Sequence, residues 1–373
     1  MSGYFLYHSI GLYPGKSDDM AAAFARFSAA WARDDDAQWP TVLAERERYL
    51  ALWRNLIGAP EGSLTSAENV TTALYSVIGA LPPDRLRGKR ILTGADCFPS
   101  LHFLLAGLQD RLGFTLDTVP LRPGETWVRE DDMIAAWGPD VGLALLTFVT
   151  STASHRADLG ALCDHARAMG SLTVLDLTQG IGILPFDLAD CRPDIAVSTT
   201  LKWLCGTPGA GMLYMDPTLI AECRPELRGW FSQPNPFNWD LDAFAYAADA
   251  RRFDHGTPSV LACVGSVPAL EWHAGQDAAA LLAHTRSLHA QIRAEAPRLG
   301  LVSASPADPA RRGGSVMLRL PDGADPQALV ASLRAQRLHT DARGPVIRLS
   351  PGILTTPADV DRLFAALKAE LAA

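Results

Sequence analysis

A chain of 373 residues, 48% hydrophobic and 20% charged, exceeds one small core and predicts a large globular domain with a smaller companion. Its formal charge of -8 argues against a general affinity for nucleic acid or anionic membrane, because both partners are negative. No apolar run reaches the roughly 18 residues of a membrane span, and no basic-then-apolar leader opens the sequence, so a cytoplasmic protein is expected.

Residues 19–57 read as one helical stretch, with Phe24, Phe27, Trp31, Leu50 and Trp53 set among charges. A second helix begins near Val70 and stops before Leu81-Pro82-Pro83. The period then shortens. Apolar runs at 90–93, 142–149, 172–176, 194–198 and 211–215 alternate with helical stretches such as 159–169. Strands with little polar alternation, spaced by helices, predict an α/β fold with a mostly parallel sheet covered on both faces. Beyond residue 265, helix 269–299, strand 315–320, helix 326–337, strand 346–350 and helix 357–371 predict a smaller α+β domain. The six cysteines are scattered without a CxxC pair and read as reduced, buried thiols; no metal site is expected.

Asp176 closes an apolar strand in Val174-Leu-Asp-Leu-Thr-Gln179. Ligands in such sheets sit beyond the carboxyl ends of the strands, so this carboxylate is either a turn residue or a site residue. Lys202 follows the next strand, between Leu201 and Trp203 and ahead of the glycine-rich Cys205-Gly-Thr-Pro-Gly-Ala-Gly211. Desolvation there lowers the pKa of an ammonium group and frees amine for reaction with a carbonyl. Pyridoxal phosphate needs a lysine to hold its aldehyde and a carboxylate to keep its pyridine nitrogen protonated. Lys202 and Asp176 together meet both needs.

The two segments, Asp176-Leu-Thr-Gln179 and Thr200-Leu-Lys-Trp-Leu-Cys-Gly-Thr-Pro-Gly-Ala210, resemble the class V aminotransferase superfamily of fold-type I pyridoxal-phosphate enzymes, and within it kynureninase most. His8-Ser-Ile-Gly-Leu-Tyr-Pro14 is similar to the opening Asn-Ser-Leu-Gly-Leu-x-Pro of that family, and Cys97-Phe-Pro-Ser100 to its Asn-Phe-Pro-Thr. Gly229-Trp-Phe231, Arg252-Phe-Asp-His-Gly-Thr-Pro258 and Asp341-Ala-Arg-Gly-Pro-Val-Ile-Arg348 match three further motifs in the right order. The resemblance covers nearly the whole chain. It implies an N-terminal segment, 1–60, lying against the small domain and the substrate entrance, a large cofactor-binding domain, 61–265, and a small C-terminal domain, 266–373.

Roles follow from the same resemblance. Asp176 pairs with the pyridinium nitrogen, Phe98 stacks on the ring, and Asn69 and Val70 meet the phosphate at a helix start, with Thr199 adding a hydroxyl. Gln179, where the family has His, bonds the phenolic oxygen, as the glutamine of cysteine desulfurases does. Trp230 and Thr257 reach the phosphate of a neighbouring subunit, which implies a homodimer with shared sites. Arg348 holds the substrate α-carboxylate with Arg343 as its neighbour, and His8 and Ser9 contact substrate. An arginine within Val346-Ile-Arg-Leu-Ser350 calls for a buried anion.

Departures from kynureninase cluster at the reaction centre. Leu101 stands for Asp, Leu201 for Tyr, and Thr150-Ser151 for Asn-Tyr. Leucine neither donates nor accepts a proton, so the family's acid–base apparatus does not carry over unchanged. His155 and Arg156 occupy a loop that faces the pocket in relatives; solvated positions are the bland alternative. The implied activity is removal of the Cα proton of an α-amino acid and cleavage at Cβ, on a substrate other than kynurenine, with an aminotransferase or epimerase as the alternative. A cysteine desulfurase is disfavoured because 338–354 holds no cysteine, and a non-catalytic relative because Lys202, Asp176 and Arg348 are all present.

Overall fold

In the computed structural model, which describes residues 2–372, a seven-stranded sheet forms the centre of the chain. Its strands lie in the order Leu64–Ala67, Gly211–Met215, Ile195–Thr199, Leu172–Asp176, Val141–Thr147, Arg90–Gly94 and Thr115–Val119. The last five are mutually parallel, whereas Gly211–Met215 runs antiparallel to both its neighbours. Alternate side chains serve two cores. Val174 packs with Leu143, Leu145, Ile195 and Val197 on one face, and Leu175 with Ala144, Leu146 and Ala196 on the other. Burial on both faces is what makes these strands continuous apolar runs, and the expected α/β fold is the one adopted.

The two strands with no clear apolar signature, Leu64–Ala67 and Thr115–Val119, lie at the two edges of the sheet. Each has one neighbour, and each carries hydroxyl or acidic residues that an interior strand would have to bury.

Two expected helices are each a pair. Residues 19–57 form Lys16–Trp31 and Gln38–Ile57, parted by Asp34-Asp35-Asp36. The Ala37 N–H donates to Asp35 Oδ1 at 3.0 Å, so a short acidic side chain competes with the helix for a backbone donor. Residues 269–299 divide between Val260–Ala274 and Ala278–Glu295, followed by a 3₁₀ turn, Ala296–Leu299. Asp277 starts the second by accepting the N–H groups of Ala279 and Ala280 at 2.9 and 3.2 Å. Pro268, just ahead of the expected start, lies inside the first.

In the C-terminal part, strands Asp341–Arg343, Val346–Leu349, Val316–Arg319 and Val302–Ser303 form an antiparallel sheet in that order. Helices Ala278–Glu295, Pro326–Ala335 and Pro357–Leu371 cover it around Leu288, Ile292, Leu333, Ile347 and Leu363. The N-terminal 60 residues divide their contacts. Gly3–Tyr4 pairs in parallel with Leu338–His339 and Phe5 enters the C-terminal core. Helix Gln38–Ile57 instead joins the large sheet, where Tyr49 Oη donates to the Gly211 carbonyl at 2.9 Å and Arg46 pairs with buried Asp254 at 2.7 Å. The expected boundary at 265 falls within helix Val260–Ala274. No described helix is long and apolar enough to cross a membrane.

Candidate active site

The parallel strands bring their last residues to one edge. Thr147 pairs with Asp176, Asp176 pairs with Val197, and Thr199 closes the neighbouring strand. That edge opens on a cavity of about 740 Å³, within the range of small-molecule sites. Asn69, Val70, Phe98, Asp176, Gln179, Thr199 and Lys202 all line it. Trp230, Thr257, Arg348, His8 and Ser9 do not.

Lys202 Nζ stands 5.2 Å from the centre of the Phe98 ring. Burial lowers its pKa to about 8 against the opposing pull of Asp176, and the charges of Arg348 and Arg343 lower it further. Its backbone is held by the N-terminal segment. Gly11 N–H donates to the Leu201 carbonyl at 2.9 Å, and Lys16 Nζ donates to the Gly11 carbonyl at 2.8 Å. Gly11 lies so close that a Cβ there would sit 1.9 Å from the Lys202 carbonyl oxygen.

Asp176 is buried, and its Oδ1 accepts the Thr178 N–H at 3.0 Å. It is therefore a turn residue and a cavity residue at once. Asn69 caps helix Val70–Ile78, accepting the N–H groups of Thr71 and Thr72 at 3.0 Å each, while Thr72 Oγ1 accepts the Asn69 N–H at 3.3 Å. An anion at this end meets a helix dipole whose first-turn donors are partly used by the cap. Gln179 is similarly committed: its Nε2 donates to the His8 carbonyl at 2.9 Å and its Oε1 accepts from Trp203 Nε1 at 3.3 Å.

The remaining expected residues lie elsewhere, for identifiable reasons. Both ring nitrogens of buried His8 are engaged, Nδ1 with Ser350 Oγ at 2.6 Å and Nε2 with Asp341 Oδ2 at 3.1 Å, and burial lowers its pKa. Its ring thus serves the C-terminal part rather than the cavity wall, and Ser9 is exposed. Arg348 Nε donates to Asp341 Oδ1 at 2.8 Å and Nη2 donates to Asp341 Oδ2. Asp341 thus supplies an anion to this partly buried guanidinium from within the chain. Trp230 packs among Trp39, Phe231 and Trp239. Thr257 lines a second cavity, of about 320 Å³, that shares Glu68, Thr72, Gly209 and Ser259 with the first.

The loop pair is placed apart from the cavity too. His155 is buried, stacked on Trp127 at 5.3 Å and 3.5 Å from Glu130, and Arg156 lies over the Phe148 ring at 5.8 Å. Leu101 is fully buried in a helix core and does not line the cavity; Leu201 does. Sequence reasoning missed Ser100, Thr147 and Thr178 on the wall, whereas Ser151, one of the departures at the reaction centre, does line it. Thr178 could have been found, since it lies in the turn that directly follows Asp176 at the carboxyl end of the strand, where ligands of such sheets sit.

Pyridoxal phosphate, the cofactor of the family resembled, fits these residues. An amine and a carboxylate face one cavity, Phe98 offers a ring, a helix N-terminus suits a phosphate, and buried Thr178 Oγ1 lacks any partner among the described residues.

The chain matches the family described as Aminotransferase class-V over residues 45–363. It is 30% identical to the isopenicillin N epimerase of Streptomyces clavuligerus over 345 residues, 88% of this chain and 85% of that protein. It is 31% identical to the kynureninase of Deinococcus radiodurans over 352 residues, 92% of this chain and 82% of that one. Among solved structures, an apo cysteine desulfurase from Thermococcus onnurineus superimposes with a TM-score of 0.89 at 16% identity, covering 100% of this chain and 95% of the other, a likeness of fold. On the extent of these matches the chain belongs to the class V aminotransferase family, with kynureninase among its relatives.

Proposed function

We propose that the chain is a pyridoxal-phosphate enzyme that removes the Cα proton of an α-amino acid and cleaves its side chain at Cβ, as kynureninase does, but on a substrate other than kynurenine. One observation carries this: Lys202 and Asp176 face a single cavity, and the residue beside Lys202 on its wall is Leu201. The first two meet the needs of the cofactor, and the third removes a proton carrier that kynureninase uses.

When bound, the cofactor supplies a protonated pyridine ring that accepts the charge released at Cα. Lys202 anchors it and takes the Cα proton; with a pKa of about 8, a useful share of its amine is free near neutral pH. Asp176 keeps the ring nitrogen charged, and Phe98 covers a ring face. The Nη1 side of Arg348 takes the α-carboxylate while Asp341 holds the guanidinium from its Nε side. Leu201 keeps water from the lysine without exchanging a proton itself. Epimerisation is the second reading, favoured by the Streptomyces relative and by the absence of a tyrosine at 201.

The same proposal makes the protein a cytoplasmic homodimer. Phe237 and Trp239, 55% and 72% exposed, pack on Trp230, and Leu241 nearby in sequence is 95% exposed, apolar surface of the kind that marks an interface. Six free, buried cysteines suit a reducing compartment. Sedimentation analysis tests the dimer; a monomer at micromolar concentration sinks it.

Protein loaded with cofactor and screened against amino acids tests the chemistry. A yellow band that Lys202→Ala abolishes, with release of a side-chain fragment plus alanine or pyruvate, is expected. Deuterium uptake at Cα with inversion selects the epimerase, and keto-acid formation an aminotransferase. A colourless protein, or kynurenine turnover equal to that of a kynureninase assayed alongside, overturns the proposal.

A further inference from the structure

Two guanidinium groups and one carboxylate lie near the Lys202 cavity: Arg343 bonds Ser151 of its wall, and Arg348 pairs with Asp341 on the adjoining strands. The strands Asp341–Arg343 and Val346–Leu349 pair so that Asp341 lies opposite Arg348 and Arg343 opposite Val346. Asp341 and Arg343, two residues apart on one strand, project from the same face. Asp341 accepts two bonds from Arg348 and one from His8, and reaches Arg343 only through its charge, without a bond. Arg343, by contrast, donates only to Ser151 Oγ, at 3.2 Å, and forms no ion pair among the described residues. Ser151 is itself part of the cavity wall. Arg348 and, less strongly, Arg343 lower the pKa of Lys202, so both cations lie within electrostatic reach of it.

Arg343 is therefore a cation beside the cavity wall that no carboxylate among the described residues contacts. Arg348, aligned by Asp341, accounts for one carboxylate of an amino acid. A second cation left unpaired at the mouth of a partly desolvated cavity favours a ligand that brings a second negative group. A neutral side chain would leave Arg343 without a partner; an acidic one would gain a charge-assisted contact, two-pronged if geometry allows.

We propose that Arg343 is a specificity-determining residue that receives an anionic group on the side chain of the substrate, so that the enzyme prefers α-amino acids with acidic side chains. This rests on the reading of the chain as a pyridoxal-phosphate enzyme and names its substrate class. Ser151 fixes the guanidinium toward the cavity, and Arg348 remains the partner of the α-carboxylate. The preference thus resides at Arg343, the last residue of the three-residue strand Asp341–Arg343, separate from the groups that hold the cofactor.

The test uses the cofactor-loaded enzyme and reads the change in its visible absorbance on titration with both enantiomers of aspartate, glutamate, asparagine and glutamine. The expected result is an apparent Kd at least tenfold lower for an acid than for its amide. Arg343→Gln should bring the pair to within twofold, Arg343→Lys should restore part of the gap, and Arg348→Ala should weaken acid and amide by the same factor. The cofactor band of Arg343→Gln should be unchanged before ligand is added. Amides binding as tightly as acids, no response to any acid, or an equal loss for acid and amide in Arg343→Gln each overturn the proposal. Absence of the band in the parent protein overturns the enzyme reading and this one with it; a normal band without acid preference overturns the role of Arg343 alone.

Discussion

Asp341 grips Arg348 from one side, taking hydrogen bonds from Nε and Nη2 and leaving Nη1 without a partner among the described residues. Burial alone would raise the Asp341 carboxyl, but the hydrogen bonds from His8 and Arg348 outweigh it and bring the pKa down to about 2. The carboxylate is therefore charged at any working pH, and the arginine is oriented before a ligand arrives.

Removing either partner should separate binding from cofactor retention. Arg348→Ala loses a charge-assisted contact worth about 1.5–3 kcal/mol, so KM for an α-amino acid should rise roughly 10- to 100-fold with cofactor content unchanged. Asp341→Asn keeps the guanidinium but loosens it, and a smaller rise, about fivefold, is expected. Steady-state kinetics beside absorbance of the bound cofactor decide this. Parallel loss of cofactor and affinity in Arg348→Ala would show that the arginine holds the fold together instead.

Capture of cofactor by the apo protein should depend on pH through Lys202. Its pKa is lowered to about 8, so the ammonium form dominates below that value and cannot attack an aldehyde. The second-order rate should climb about tenfold per pH unit up to that point and then level off. Stopped-flow absorbance between pH 6 and 10 measures it. A rate still climbing tenfold per unit at pH 10 would mean that the lysine is solvated.

Gly11 packs on the carbonyl of Lys202, and Gly107 faces open space within helix Pro99–Leu112. Adding a methyl to each should therefore act in opposite directions. Gly11→Ala forces the N-terminal segment off the lysine loop, costing about 1–3 kcal/mol, and should weaken cofactor binding as well. Gly107→Ala has no clash and reduces the freedom of the unfolded chain, which should add about 0.5–1 kcal/mol. Thermal denaturation of the two variants, with and without cofactor, checks both signs.

What could be read from the sequence followed burial. Val141–Thr147 and Leu172–Asp176 are buried on both faces, so their apolar runs could only be interior strands. Leu64–Ala67 could not be recognised, because an edge strand of Leu-Thr-Ser-Ala satisfies no such pattern. Lys202 and Asp176 stood out because one cofactor needs both residue types after successive strands. Thr147 and Thr178 did not, since a hydroxyl on a wall has no spacing of its own. The anion of Arg348 was hidden for a different reason: Asp341 lies seven residues away along the chain but directly opposite across a hairpin, and register is a tertiary fact. His155 was misplaced because a loop sequence does not say which way it folds back, and here the ring stacks on Trp127.

Arg46 joins helix Gln38–Ile57 to the wall of the second cavity. Its guanidinium donates to both oxygens of Asp254 at 3.1 and 2.7 Å, to Thr65 Oγ1 at 2.7 Å and to Ser66 Oγ at 2.9 Å, and both charged side chains are buried. Arg46→Ala leaves Asp254 charged with no cation beside it, and a loss of about 3–5 kcal/mol is expected. Removing the charge as well, in Arg46→Met with Asp254→Leu, should recover most of that loss, because the penalty comes from the stranded carboxylate rather than from the missing bond. Asp254 also leads into His255-Gly256-Thr257, so the single variant should bind cofactor more weakly in proportion to its instability at this wall. Urea denaturation of the single and double variants distinguishes the two contributions. A double variant no more stable than Arg46→Ala would place the energy in the Thr65 and Ser66 hydrogen bonds instead.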